Sequence, residues 1–170
     1  MEKKVTDSET LMTQMIMPND ANPLGNLMGG NLLRWMDIAA GICAGKHCEA
    51  HVATVSVDHV SFQLPIPLGE VISIKAVVTR AFNTSVEVFV EVFTATIKGQ
   101  NPRRSNDAYF TFVAIDDEQH KPVKVPPVLP MTTEETRRYE SAMRRRELRL
   151  LLGGRIKAKD ANELKELFIS

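Results

Sequence analysis

An α+β fold, in which one curved antiparallel sheet wraps a single long helix, is predicted by three features of this sequence. A mostly apolar helical run spans residues 31–46. Behind it come segments that alternate apolar and polar residues, separated by short turns, as antiparallel strands require. The helix region is also crowded with small residues, namely Gly29, Gly30, Ala39, Ala40, Gly41, Ala44 and Gly45, which permit close helix–sheet approach. One helix cannot flank a sheet on both faces, so the sheet is expected to roll around it.

Each element has its own justification. TLMTQMIM at 10–17 reads as a first strand with Leu11, Met15 and Met17 on one parity, stopped by Pro18. Residues 18–30 are rich in turn formers and form an irregular loop before the helix. HVATVSVDHVSF at 51–62 places Val55 and Val57 inward; beyond Asp58 and His59 the apolar positions move to Val60 and Phe62. That one-residue slip predicts a β-bulge. PIPLGE at 65–70 is a turn, and a strand follows with Ile72, Ile74, Ala76 and Val78 on one face. FNTS at 82–85 is a hairpin loop leading to Val86, Val88, Val90 and Val92, which alternate with Glu87, Phe89, Glu91 and Phe93. Residues 98–106 read as a longer loop, 107–115 as the last strand, and 116–131 as an extended connector. Thr132 and Glu135 form a capping-box pattern that opens a second helix at about 133–152, carrying RRRELR at 144–149. After Gly153 and Gly154 the chain is read as a short helix or a loosely ordered end. The expected organisation is a domain over residues 1–131 and a C-terminal helical tail over 132–170, packed on or near it.

Bulk composition removes several functional classes. The chain has 170 residues, enough for a real core. Lysine plus arginine and aspartate plus glutamate both total 21, so net charge argues for neither a nucleic-acid nor a membrane partner. No apolar leader or membrane-length apolar stretch is visible, and the expected location is the cytoplasm. Cys43 and Cys48, with only His47 and His51 nearby, lack the paired ligand spacing of a structural zinc site, so no metal is expected.

The chemistry concentrates in DANPLGNLMGGNLLRWMDIAAG at 20–41. Asp37 sits within the apolar helical run, where a carboxylate needs a partner or a function. Desolvation there would raise its pKa; the bland alternative is a structural bond to a backbone loop or to Arg34, three residues back. Gly29 and Gly30 precede the helix and would offer free N–H groups at the positive end of its dipole, suiting an oxyanion, or else form a plain turn. Asn22 offers an amide that can bond a carbonyl or a water, although alone it reads as a turn residue. Together these residues suit acyl transfer, and no serine or cysteine nucleophile elbow competes with them. Met12, Met15, Met17, Met28 and Met36 would line an adaptable apolar pocket or simply fill the core. His59 would orient the bulge through a hydrogen bond or gate the site.

The stretch PNDANPLGNLMGGNLLRWMDIAAGICAGKHC closely resembles the opening motif of hot-dog-fold acyl-CoA thioesterases, in the branch of the cytosolic and brain acyl-CoA hydrolases. The likeness continues through VDHVSF, PLGE and NTSVEVFVEVF, covering residues 10–115. It implies hydrolysis of fatty acyl-CoA to free acid and coenzyme A. No cofactor is needed beyond the coenzyme A of the substrate itself. By motif match, Asp37 is the general base or nucleophile, Asn22 positions water or thioester, and Gly29 and Gly30 form the oxyanion site. The resemblance also implies a homo-oligomer, with a dimer as the minimal active unit and a trimer of dimers as the assembly. In it, Asp37 of one copy faces the Asn22 loop of another. For the coenzyme A moiety, Arg80, Asn83, Thr84 and Ser85 are the candidates, with Arg103 and Arg104 as further cations. A hydratase on the same fold would need a histidine at the site, which neither the helix centre nor the Asn22 loop supplies. A non-catalytic acyl-CoA-binding module would have no use for Asp37.

Overall fold

A computed structural model describes residues 1–169. Its elements are β1 (Lys3–Lys4), β2 (Thr10–Met15), α1 (Gly29–Cys48), β3 (His51–Phe62), β4 (Val71–Ala81), β5 (Ser85–Ala95), β6 (Arg103–Ile115), β7 (Val128–Leu129), α2 (Thr133–Leu152) and α3 (Asn162–Ile169). The chain divides into two compact units, Met1–Leu129 and Pro130–Ser170.

In the first unit a five-stranded antiparallel sheet runs in the order β2-β4-β5-β6-β3 and wraps α1. The small residues predicted to admit the sheet do so: Ala39, Ala40, Cys43 and Ala44 are fully buried. They face a layer built by Ile72, Ile74, Ala76 and Val78 of β4, Val86, Val88, Val90 and Val92 of β5, and Phe110 and Phe112 of β6, all at 2% exposure or less. This is the hot-dog arrangement expected of the sequence. A two-stranded parallel ribbon, β1 with β7, was not anticipated; it lies partly within the segment read as a connector.

Several local expectations are corrected. The helix begins at Gly29, not Asn31, so both glycines belong to its first turn. Strand β6 begins at Arg103, which takes residues 103–106 out of the predicted loop. The row Leu11, Met15 and Met17 is exposed: Leu11 pairs with Lys75 on the outer face of the sheet, and it is Met12 and Gln14 that pair with buried Ile74 and Ile72. Val55 and Val57 are not buried, at 57% and 42% exposure, although Val57 faces the Asp37 cavity. Strand β3 carries two register shifts, one between Thr54 and Ser56 and the predicted one between Asp58 and Ser61. The first, invisible in the apolar pattern, leaves Val55 without a register partner and sets Val57, paired with Phe110, on the same face as Thr54, paired with Phe112. Glu87, which alternates with the valines of β5, is completely buried and accepts a hydrogen bond from the Thr79 hydroxyl at 2.6 Å.

The second unit contains α2 and α3. The capping box forms as the sequence predicts: Glu135 N–H donates to the Thr132 hydroxyl at 3.2 Å, and Thr132 N–H donates to the Glu135 carboxylate at 3.0 Å. No helix among the described residues is long and apolar enough to cross a membrane.

Buried His47, near the end of α1, bonds through Nε2 to the Pro126 carbonyl at 2.9 Å, so Nε2 carries the proton. Its Nδ1 is buried without a hydrogen-bond partner among the described residues. Burial holds its pKa below the ordinary 6.5, against the opposing pull of the Pro126 bond. An imidazole depressed in the folded state binds its proton more readily once unfolded. Its stability contribution is therefore complete above about pH 6.5 and is lost progressively as pH falls below that value. Thermal unfolding followed from pH 7.5 to 5 should show a falling Tm, with a shallower decline in His47→Gln; equal slopes in the two proteins would reject this assignment.

Candidate active site

The loop that carries Asn22 is shaped by its own side chain. Asn22 Oδ1 accepts from the N–H groups of Leu24, at 3.0 Å, and Asn26, at 3.2 Å. The Asn22 N–H donates to the Asn26 carbonyl at 2.7 Å, and Gly25 N–H donates back to the Asn22 carbonyl at 2.9 Å. Two backbone donors on one oxygen fix the amide orientation, leaving Nδ2 without a partner among the described residues. Asn22 is therefore preset as a hydrogen-bond donor. Gly25 makes the loop possible, since its φ of +76° lies in the left-handed region that other residues adopt at a cost.

The loop delivers the chain into α1. Met28 N–H donates to the Asp20 carbonyl at 2.9 Å, and the Asn31 amide reaches the same carbonyl at 3.3 Å. The first intrahelical bond runs from Leu32 N–H to the Met28 carbonyl, so the N–H groups of Gly29 and Gly30 have no intrahelical acceptor. The two glycines are not equivalent. A Cβ on Gly29 would come within 3.1 Å of the Phe62 ring, whereas one on Gly30 would meet nothing within 4 Å. Close packing of Phe62 explains the first glycine; the second faces open space, where a ligand can reach the backbone.

Asp37 lies two turns further along, half-buried rather than fully buried as the apolar run suggested. Its partner is neither a loop nor Arg34. Thr54 Oγ1, on β3, donates to Asp37 Oδ1 at 2.8 Å, while Oδ2 has no partner among the described residues. Thr54 was missed by the sequence reading. Its only signal was a hydroxyl in a strand beside the helix, and the face it occupies is set by its pairing with Phe112, 58 residues on.

Two cavities divide these residues. One, of about 690 Å³, is lined by Asp37, Thr54, Gly30 and Arg34, with Leu33, Val57, Val60 and Phe110 as apolar wall. The other, of about 450 Å³, holds Asn22, Gly29, Phe62 and Asn106 among leucines and Ile66. Within one chain, then, Asn22 and Asp37 open into separate cavities.

The coenzyme A candidates fare unequally. The turn before β5 is pinned by its backbone: Ala114 N–H donates to the Thr84 carbonyl and Val125 N–H to the Asn83 carbonyl, both at 3.0 Å. Asn83 is exposed, while Arg80, Thr84 and Ser85 are half-buried. None of them lines either cavity. Arg103 forks onto Glu70 at 3.1 and 2.9 Å, and Arg104 bonds Glu91 at 3.2 Å and Asp107 at 2.6 Å, so both cations are already engaged by carboxylates. Met36 is buried core, Met15, Met17 and Met28 are exposed, and no methionine lines either cavity. His59 takes the left-handed conformation (φ +57°) and sets its ring edge-on to Tyr109 at 6.3 Å; the bulge hydrogen bond is instead Ser56 to Asp58 at 2.8 Å. Cys43 and Cys48 are free, and burial pushes their thiols up to about 12 and about 11, which leaves neither a nucleophile.

A helix rolled in a sheet, with a glycine-started helix and a carboxylate on its flank, defines a class of thioester-handling proteins, and comparison with known proteins identifies it. Residues 24–99, which include both glycines, Asp37 and Thr54, match the Thioesterase superfamily. The chain is 37% identical to Protein VdlD of Helicobacter pylori, over 84% of this chain and 80% of that one. It is 34% identical to the uncharacterised acyl-CoA thioester hydrolase YkhA of Bacillus subtilis, over 82% of this chain and 80% of that one. It is also 34% identical to the rat cytosolic acyl coenzyme A thioester hydrolase, over 80% of this chain but 36% of that longer one. Among solved structures, a hexameric acyl-CoA thioesterase superposes with a TM-score of 0.83 at 36% identity, covering 87% of this chain and 94% of that one. The acyl-CoA hydrolase of Staphylococcus aureus, solved with butyryl coenzyme A, coenzyme A and coenzyme A disulfide, superposes with a TM-score of 0.84 at 30% identity over the whole of both chains. That hydrolase has also been solved with an asparagine, an aspartate or a threonine changed to alanine. Those three are separated by the same 15 and 17 positions as Asn22, Asp37 and Thr54 here. The chain belongs to the thioesterase superfamily, among its hot-dog acyl-CoA hydrolases.

Gly25→Ala should destabilise the fold by about 1–2 kcal/mol, the cost of holding an L side chain in the left-handed region. Denaturant unfolding measures this, and an unchanged midpoint would show that the loop can relax.

Proposed function

We propose that this chain hydrolyses fatty acyl-CoA thioesters to free acid and coenzyme A, in a site completed by two copies of the chain. The observation that carries the reading is the Thr54–Asp37 hydrogen bond, which holds a carboxylate at a cavity with one oxygen engaged and the other free. Oδ2 takes a proton from water as the water attacks the acyl carbon. The developing oxyanion is met by donors that need no rearrangement: Asn22 Nδ2 and the N–H groups of Gly29 and Gly30. Each such donor contributes about 3–4 kcal/mol to barrier lowering. Collapse of the tetrahedral intermediate expels the coenzyme A thiolate, which is protonated on leaving.

Two copies are invoked for a geometric reason. Gly30 and Asp37 lie about 10 Å apart along the helix axis, too far for one carbonyl group to contact both within a chain. The reading pairs Asn22, Gly29 and Gly30 of one copy with Asp37 and Thr54 of another. The exposed apolar row at edge strand β3 supports this, with Val55, Val57 and Phe62 at 42–57% exposure beside Ile38 and Ile42 of α1. A dimer is the minimal active unit, and a trimer of dimers agrees with the hexameric relative. The turn at 82–85, with Arg80, would receive the coenzyme A moiety. It stands two strands across the sheet from Thr54, since Thr54 pairs with Phe112 and Phe112 with Val86. A cytoplasmic location agrees with the name of the rat relative.

Free-thiol release from a panel of acyl-CoAs tests the activity. Asp37→Ala and Asn22→Ala should each lose at least about 100-fold in kcat. Refolded together, the two inactive proteins should regain about a quarter of wild-type activity, because half of the random dimers hold one intact site. No thiol release by the wild type, or no recovery on mixing, would reject the activity or the shared site respectively. Gly30→Ala separates backbone approach from folding. With space for its Cβ, it should be as stable as the wild type or about 0.5–1 kcal/mol more so, yet lose activity.

A further inference from the structure

The Asn22 loop is not held only by its own hydrogen bonds. It is bonded backbone to backbone onto the turn at 65–70. Leu27 N–H donates to the Ile66 carbonyl at 2.8 Å, and Leu68 N–H donates to the Gly25 carbonyl at 2.9 Å. The same turn is tied to the end of β2, where Gly69 N–H reaches the Ile16 carbonyl at 3.0 Å and Ile16 N–H reaches the Glu70 carbonyl at 2.9 Å. The placement of Asn22 is therefore inherited from the placement of this turn.

The turn is anchored at its last residue. The Glu70 side chain is 14% exposed and accepts three hydrogen bonds: two from the Arg103 guanidinium, at 3.1 and 2.9 Å, and one from the Thr94 hydroxyl at 2.6 Å. Arg103 and Thr94 are register partners on β6 and β5, so one carboxylate is fixed against two strands at once. Glu70 lines neither the Asp37 cavity nor the Asn22 cavity and takes no part in the hydrolysis. A largely buried ion pair is weak evidence for stabilisation, because desolvation offsets most of the Coulombic gain. Its strength lies in direction: a forked guanidinium and a hydroxyl specify where a carboxylate sits and how it is turned.

We infer that Glu70, held by Arg103 and Thr94, is a positioning residue for hydrolysis: it fixes the 65–70 turn, which sets where the Asn22 amide meets the thioester. The inference rests on the proposed role of Asn22 as donor to the substrate carbonyl. A misplacement near 1 Å costs about 100-fold in rate, so loss of the anchor acts on kcat while the fold persists.

The test is a double-mutant cycle on the full-length protein, with kcat and KM measured for the best acyl-CoA of the panel. Glu70→Gln keeps the shape of the side chain and removes its charge. It should lower kcat at least about ten-fold, with KM within about two-fold of wild type. In the Asn22→Ala background the same change should alter kcat by less than about two-fold, because the donor it positions is already gone. Arg103→Lys, which keeps the charge without the fork, should fall between wild type and Glu70→Gln. An independent readout comes from hydrogen exchange: the Leu27 and Leu68 amides should exchange faster in Glu70→Gln than in wild type, with the α1 amides unchanged. Equal kcat losses from Glu70→Gln in both backgrounds, or wild-type kcat with faster exchange, would overturn the inference. Should Glu70→Gln fail to fold, Thr94→Val is read by the same cycle and exchange criteria. Wild-type activity in Asn22→Ala would instead refute the role of Asn22, and the two failures are thereby told apart.

Discussion

The packing of Ala39, Ala40, Cys43 and Ala44 against the sheet is the constraint on which the rest of the molecule depends. These residues are all fully buried, and none is larger than a thiol. They set how near the helix axis runs to the strands, and the strands must curve to keep contact along a 20-residue helix. Once the helix is seated, its first turn can emerge only at one end of the roll, with the Asn22 loop beside it. Its flank carrying Asp37 can face only the edge strand β3. The positions of the chemical groups are consequences of an apolar contact in which none of them takes part.

Edge strand β3 resolves a conflict created by that seating. It must pair with β6, bring Thr54 to the Asp37 carboxylate, and set Val57, three residues on, against the same cavity. A regular strand alternates faces and cannot satisfy all three, so the ladder slips after Thr54 and again after Asp58. The valines at 55 and 57 stay exposed at this edge, and it is this edge that the proposed second copy would cover.

Polar groups are distributed to fit. Backbone donors occupy the Asn22 carbonyl oxygens, and a threonine occupies one oxygen of Asp37. In each case the group left over is the one that the proposed hydrolysis uses. The arginines at 103 and 104 would look available as phosphate ligands in isolation, but the fold uses them to hold strands and a turn together. Their strand position, not their charge, decides that outcome.

Much of this was legible in the chain. Alternating valines from 86 to 92 announced a strand, because a two-residue period has one structural meaning. The Thr132–Glu135 pair announced a helix start, because both partners of that interaction lie within one turn. Asp37 stood out because a carboxylate is costly in an apolar helix, whereas Asn22, Gly29 and Gly30, ordinary turn residues singly, stood out only in combination with it and through the motif they share. The tertiary structure alone decided which of them share a cavity, that Thr54 rather than Arg34 holds Asp37, and that Val57 shares a face with Thr54. It likewise decided that Arg103 answers Glu70, 33 residues away in sequence. The physical reason is the same throughout. Periodicity and capping are short-range properties written in consecutive residues, whereas strand order, bulges and side-chain partners are set by which distant segments the packed helix brings into contact.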